Sequence, residues 1–185
     1  LTPGTKNISV RYTDTNNCAA VTSATNTLTV NPLPVPTYTT APSAPVCVGT
    51  PVTYTTQESQ SNYNWTVPGV AGTDYTITAG GIGTSSPSVT LTWLTGGTKN
   101  VSVIYTNSNG CTAIVPATNS LTVNPLPVPT FTAEPGSLVC EQSTSTYTTQ
   151  SGKSNYVWSI PGVAGTDYNI TAGGDGTGSS TATIQ

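Results

Sequence analysis

The chain repeats itself with a period of 93 residues and without one insertion or deletion. Cys18 recurs as Cys111, Cys47 as Cys140, Trp65 as Trp158, NPLPVP of 31–36 as 124–129, and PGVAGTDY of 68–75 as 161–168. Of the 92 positions at which residue i can be compared with i+93, 56 are identical. Repetition at domain length restricts the fold to a string of like modules. With NPLPVP as the connection, residues 1–31 are the C-terminal strands of one module, 32–124 a complete module, and 125–185 the N-terminal part of a third. On this phasing the chain is expected to be a window cut from a longer array.

Composition points to strands. Thr supplies 39 of 185 residues, and its branched side chain suits a pleated, half-wet surface, whereas helix formers are scarce. The 35% hydrophobic fraction lies in short alternating runs, which argues for packed strands rather than disorder. A net charge of -3 with four basic residues leaves no basic face, so nucleic acid is excluded as a partner. No apolar run approaches the roughly 18 residues that span a bilayer.

Period-2 alternation predicts strands over 38–40, 52–57, 62–67, 75–78, 88–93, 99–106 and 120–123. The inward faces are Val52, Tyr54 and Thr56; Tyr63, Trp65 and Val67; Val89, Leu91 and Trp93; Val101, Val103 and Tyr105; and Leu121 with Val123. Turn signals such as Pro68-Gly69, Gly96-Gly97 and Asn109-Gly110 separate them. Seven short strands in 93 residues predict an all-β protein of tandem immunoglobulin-like antiparallel β-sandwich domains, arrayed end to end. Trp65, Trp93 and Trp158 are the expected core anchors.

The connections carry mechanical information. Pro32, Pro34 and Pro36, repeated as Pro125, Pro127 and Pro129, fix φ and push each preceding residue toward extended conformations. Such a linker bends less than a Gly/Ser tether, so consecutive domains are expected to form a semi-rigid rod. The plainer alternative is that these prolines only interrupt an edge strand.

Two cysteines per period, with no CxxC pair and no His, point away from zinc and thioredoxin chemistry and toward structural disulfides in an oxidising location. The economical pairing is Cys47 with Cys111, leaving Cys18 and Cys140 to partners beyond the chain, and such a loop would stabilise by about 4 kcal/mol. Simple immunoglobulin topology, however, places Cys47 and Cys111 at opposite poles of the sandwich. A bridge between neighbouring domains, or free buried thiols, therefore remain as alternatives.

Catalysis has little material: without His an ordinary Ser or Cys nucleophile lacks its base, and the one acidic position shared by both copies is Asp74 with Asp167. No enzyme activity, cofactor or metal is expected. The glycine-rich 79–86 has no lysine or helix to make it a phosphate loop. Asp74 and Lys99, which recur as Asp167 and Lys6, could pair or join in an isopeptide bond with Asn100, but solvated charges are the plainer reading. Calcium at Asp14, Asp74 or Asp175 is disfavoured because the ion needs six to eight oxygens, about that many per site.

The runs VCVG at 46–49, YNW and VPG within 63–69, GGIGTSSPSVTLTW at 80–93, VSVIYTNSNGCT at 101–112 and LTVNP at 121–125 resemble the PKD-like, immunoglobulin-like repeats of giant Bacteroidota surface proteins. The resemblance covers the whole chain. It implies cell-surface adhesins exported by the type 9 pathway, including gliding-motility adhesins. The second copy departs from the pattern, with VCEQ at 139–142 removing the glycine on which that turn depends.

Together these readings anticipate stalk or spacer repeats of a long extracellular surface fibre. Its partners would be the neighbouring repeats, other copies in the fibre, and a surface or glycan ligand held by a distal region. The alternative is that each repeat binds a glycan or polymer, with repetition supplying avidity. A third reading is strand exchange: residues 125–185 lack their final strands, and 1–31 are such a pair, so separate copies could complete one another.

Overall fold

The computed structural model describes residues 1–185 apart from Ile82, Thr84, Asp175 and Thr177. The chain divides into two compact units, Leu1–Leu126 and Pro127–Gln185. Strands of the first are β1 (Gly4–Val10), β2 (Ala24–Val30), β3 (Tyr38–Thr40), β4 (Val46–Cys47), β5 (Pro51–Thr56), β6 (Ser61–Thr66), β7 (Tyr75–Gly80), β8 (Ser88–Trp93), β9 (Gly97–Thr106) and β10 (Ala117–Asn124). The second contributes β11 (Phe131–Ala133), β12 (Ser145–Thr149), β13 (Ile170–Gly173) and β14 (Thr181–Ile184). Among the described residues there is no helix, as the composition anticipates.

In the first unit, β1 and β2 form a two-stranded sheet, while two four-stranded sheets run in the orders β3-β5-β8-β7 and β4-β10-β9-β6. All pairings are antiparallel except β4, which lies parallel to the end of β10. The two four-stranded sheets share one buried cluster. Val52, Tyr54, Tyr75, Val89, Leu91 and Trp93 come from one, and Tyr63, Trp65, Val101, Val103, Tyr105, Leu121 and Val123 from the other. Apart from Tyr75 these are residues that period-2 alternation turns inward, while Val67, also expected there, is only half-buried; burying each core residue stabilises by about 1.5–3 kcal/mol. Edge-to-face aromatic pairs order the interior: Tyr75 meets Trp93 at 5.7 Å and 68°, and Tyr63 meets Tyr105 at 6.0 Å and 60°.

All seven strands expected in the complete repeat are present, with limits shifted by a few residues. The two-residue β4 was not foreseen, because its pairing partner lies at the far end of the repeat and no local pattern announces it. The hairpin between β9 and β10 is set by Asn107, whose carboxamide oxygen accepts from the Asn109 and Cys111 amides, and by Gly110 at φ +76°. Asp14 and Asn17, at φ +63°, do the same in the first copy. β1 and β2 consequently keep the register of their counterparts, Gly4↔Val30 matching Gly97↔Val123.

The second unit repeats the first of the four-stranded sheets, in the order β11-β12-β14-β13. Its VCEQ turn does not lose its shape for want of glycine: Gln142 adopts φ +64° where Gly49 has +87°, and Ser143 N donates to Cys140 O at 3.1 Å as Thr50 N does to Cys47 O. Left-handed backbone costs a side chain about 1–2 kcal/mol, and the turn bears it.

Candidate functional site: the seat of the proline-rich segment

The strand β5 ends in Thr56, fully buried, followed by Gln57. Together they hold the last residues of NPLPVPT. Thr37 N donates to Gln57 Oε1 at 3.1 Å, and Gln57 Nε2 donates to Thr37 Oγ1 at 2.6 Å and to Val35 O at 3.5 Å. Thr56 Oγ1 lies within hydrogen-bonding reach of both Thr37 O, 2.8 Å, and Gln57 Oε1, 2.7 Å. Both protons of the Gln57 amide are thereby engaged, and its oxygen accepts from Thr37 N and shares the single Thr56 hydroxyl proton with Thr37 O. Pro36 is buried beside this seat, Pro34 half-buried and Pro32 exposed, and the Pro32 carbonyl accepts from Asn107 Nδ2 at 3.3 Å.

The second copy rebuilds the seat. Thr130 N donates to Gln150 Oε1 at 3.1 Å, Gln150 Nε2 reaches Thr130 Oγ1 at 2.7 Å and Val128 O at 3.2 Å, and Thr149 Oγ1 reaches Thr130 O at 2.6 Å. Pro125, Pro127 and Pro129 are all exposed. Sequence reasoning passed over Gln57 and Gln150. Their signal was available: a glutamine kept at i and i+93, directly after a strand of threonines.

The cysteines fall elsewhere than the economical pairing requires. All four are free; Cys18, Cys47 and Cys140 are exposed and Cys111 is partly so. Cys47 sits beside Asn124, at the level of the Gly97↔Val123 pair, whereas Cys111 lies past Thr106 in the opposite hairpin. The full ten-residue length of β9 separates them, about 30 Å at 3.4 Å per residue. A disulfide needs its Cα atoms within about 7 Å, so the Cys47–Cys111 bridge is not made, and the exposure of the thiols sets aside the buried-thiol alternative.

Trp65 and Trp93 lie in the core of the complete repeat at 2% and 0% exposure, while Trp158 is only half-buried. Trp65 Nε1 donates to Ser86 O at 2.9 Å and Trp158 Nε1 to Ser179 O at 3.0 Å.

The recurring Asp74 closes a turn. Its Oδ2 accepts from Val70 N at 2.8 Å, its Oδ1 accepts from Thr95 Oγ1 at 3.2 Å, and Thr95 Oγ1 in turn accepts from Lys99 Nζ at 2.9 Å. Asp74 and Lys99 thus meet through one hydroxyl, and Lys99 Nζ stands 5.2 Å from the centre of the Trp93 ring. Asp167 repeats the turn at 2.7 Å to Val163 N. Asp14 is engaged by its own hairpin, and Asp175 lies outside the described residues.

Burial, then the neighbouring Tyr54, raises the Tyr38 phenol above its ordinary range, and its hydroxyl donates to Val101 O at 2.7 Å across the two sheets. Burial raises Tyr54 and Tyr105 as well. Nothing in this arrangement converges on a reacting atom; what it does is grip a chain.

No family model matches this chain, and no curated protein matches it. Among solved structures it is similar to domains 4 and 5 of the S-layer protein SbsC, at 16% identity and a TM-score of 0.30 over 66% of each chain. It is also similar to domains 4–9 of the surface layer protein SbsC, at 13% identity and TM-score 0.33 over 100% of this chain and 31% of that one. For domains 1–6 of SbsC the values are 17%, 0.29, 100% and 25%. The chain therefore spans between 25% and 66% of the length of these structures. Likeness this distant carries no weight for function.

Proposed function

We propose that this chain is a run of tandem, immunoglobulin-like spacer domains from the stalk of a long extracellular surface fibre. The single observation that carries the reading is the duplicated seat, in which Gln57 and Gln150 hold the same linker residues through the same atoms. A linker that only had to connect would need no such grip. Prolines that limit bending, followed by a clamp at the head of each sheet, favour transmission of tension and direction from one domain to the next. Each period would then contribute roughly 40 Å of contour, from strands rising about 3.3 Å per residue plus loops and linker. The threonine-rich, weakly charged surface suits a passive, soluble shaft, and the role assigned is mechanical rather than catalytic. The sequence resemblance to Bacteroidota repeats favours reading such a shaft as part of a type 9 secreted cell-surface adhesin of the gliding-motility kind, with neighbouring repeats proposed as its partners.

Single-molecule pulling on the chain tests this. A single unfolding event of the complete repeat is expected, together with a softer low-force response when Gln57 and Gln150 are both changed to Ala. An unchanged response in the double variant would remove the reason for calling the seat mechanical. Retention of the chain on immobilised glycans or particles would instead favour the binding-module alternative.

A further inference from the structure

Tension applied to the complete repeat enters and leaves on different sheets. The incoming segment is held by Thr56 and Gln57 at the end of β5 and runs directly from Thr37 into β3. The chain leaves from Asn124, the last residue of β10, which belongs to the other four-stranded sheet. The two points also lie at opposite poles. Asn124 stands beside Cys47, and its carbonyl accepts from Val48 N just before β5 begins, whereas the seat is where that strand ends. A pull along the chain therefore shears one sheet against the other. Apolar contacts are non-directional and re-form as side chains slide past each other, whereas a hydrogen bond has a set length and angle and resists sliding.

The pairing of β3 contributes little of that resistance. It is three residues long and meets β5 only at Tyr38↔Thr56 and Thr40↔Thr55, across a register shift. Tyr38 adds a contact of another kind. Its ring lies against Tyr54 of its own sheet, with centroids 6.0 Å apart, and against Trp65 of the opposite sheet, at 6.1 Å. Its hydroxyl donates to Val101 O at 2.7 Å, and among the described residues this is the side-chain hydrogen bond that joins a strand of one sheet to a strand of the other. The acceptor lies where β9 is anchored on one side only. β6 pairs with β9 as far as Thr66↔Ser102, one residue short of Val101, while β9 and β10 pair without interruption from Gly97↔Val123 to Val103↔Ala117.

We infer that Tyr38 is the tie through which linker tension crosses the core, passing from Thr37 to the phenol, to Val101, and along the β9–β10 ladder to Asn124. The inference rests on the spacer reading and says how such a domain bears tension. The plainer role of a buried phenol, satisfying its own hydroxyl, gives the same bond but no particular sensitivity to pulling.

The test uses the 185-residue chain, pulled by its ends at constant force, beside unfolding of the same chain in denaturant with no force applied. Tyr38→Phe keeps the ring and removes the hydroxyl. Phe131 already occupies this position one period on, against Tyr147 and Trp158 at 5.7 and 6.2 Å, so the packing admits the change. One lost bond of typical size shifts the folding equilibrium by roughly fivefold. Gly69→Ala serves as control, because it burdens the turn closed by Asp74, off the route from Thr37 to Asn124. Tyr38→Phe should quicken unfolding under force by a factor several times larger than in denaturant, while Gly69→Ala changes both by one factor. An equal factor for Tyr38→Phe in the two assays, or a rate under force left where it was, overturns the inference. Gln57→Ala with Gln150→Ala reports separately, at low force before the domain yields. Softening there with Tyr38→Phe neutral removes the tie and leaves the spacer reading; no softening removes the spacer reading and the tie with it.

Discussion

Replacing Gln57 with Ala isolates the linker seat. The change removes two donated hydrogen bonds, at 2.6 and 3.5 Å, one accepted from Thr37 N at 3.1 Å, and the share of the Thr56 hydroxyl proton held at 2.7 Å. A typical bond contributes about 0.5–1.5 kcal/mol net. Thr37 and Val35 are exposed and regain water, while Thr56 Oγ1 keeps Thr37 O, so the expected loss is about 2 kcal/mol rather than the sum. Hydrogen exchange of the Thr37 amide reads this locally: at 1.4 kcal/mol per tenfold, its protection should fall by roughly 30-fold. At about 4–8 °C per kcal/mol for a domain of this size, melting of the complete repeat should drop by roughly 8–16 °C. Gln57→Glu sharpens the test, since a carboxylate keeps both acceptor contacts but loses both donors and faces the Val35 carbonyl. Its folded-state carboxyl is therefore raised, so stability is present at low pH and lost as the pH rises through that value. Thr37 protection unchanged in Gln57→Ala, or a Glu variant that stabilises with rising pH, would refute the clamp.

Other outcomes follow from the same geometry. Gly69→Ala should cost about 1–3 kcal/mol, because φ is +94° and the new Cβ would sit 2.7 Å from Asp74 Cβ. Gly49→Ala, at φ +87° with nothing within 4 Å, should cost only the backbone share of about 1–2 kcal/mol; denaturant titration of the pair reads the difference. All four cysteines should react with a thiol reagent in the native state, with mass spectrometry showing every adduct, and Cys47→Ser with Cys111→Ser should leave the melting temperature in place. Tyr38, with its ionisation raised above the ordinary 10.0, contributes stability below that pH that is lost as the pH climbs beyond it. Absorbance at alkaline pH should therefore show a late phenolate step that coincides with unfolding, and Tyr38→Phe should remove part of that dependence.

Much of the fold was legible because β-structure writes itself locally. Alternation marked Val89, Leu91 and Trp93 as one face and Val101, Val103 and Tyr105 as another, and the pleat permits no other outcome once one face is buried. The candidate site was less legible. Gln57 and Gln150 owe their role to bonds with residues 20 and 22 positions away, which no spacing rule anticipates. Asp74 recurs for a turn it closes on Val70, not for a charge partner.

The 93-residue period, the all-strand character and the identity of the inward faces are properties of the sequence, since repetition and side-chain alternation do not depend on which strands pair. Strand order is different. That β4 lies along the end of β10 and that β9 separates Cys47 from Cys111 by its whole length are decided by long-range pairing. Pairing is settled by the free energy of closing two sheets over one core, a quantity distributed over distant residues and carried by none of them alone.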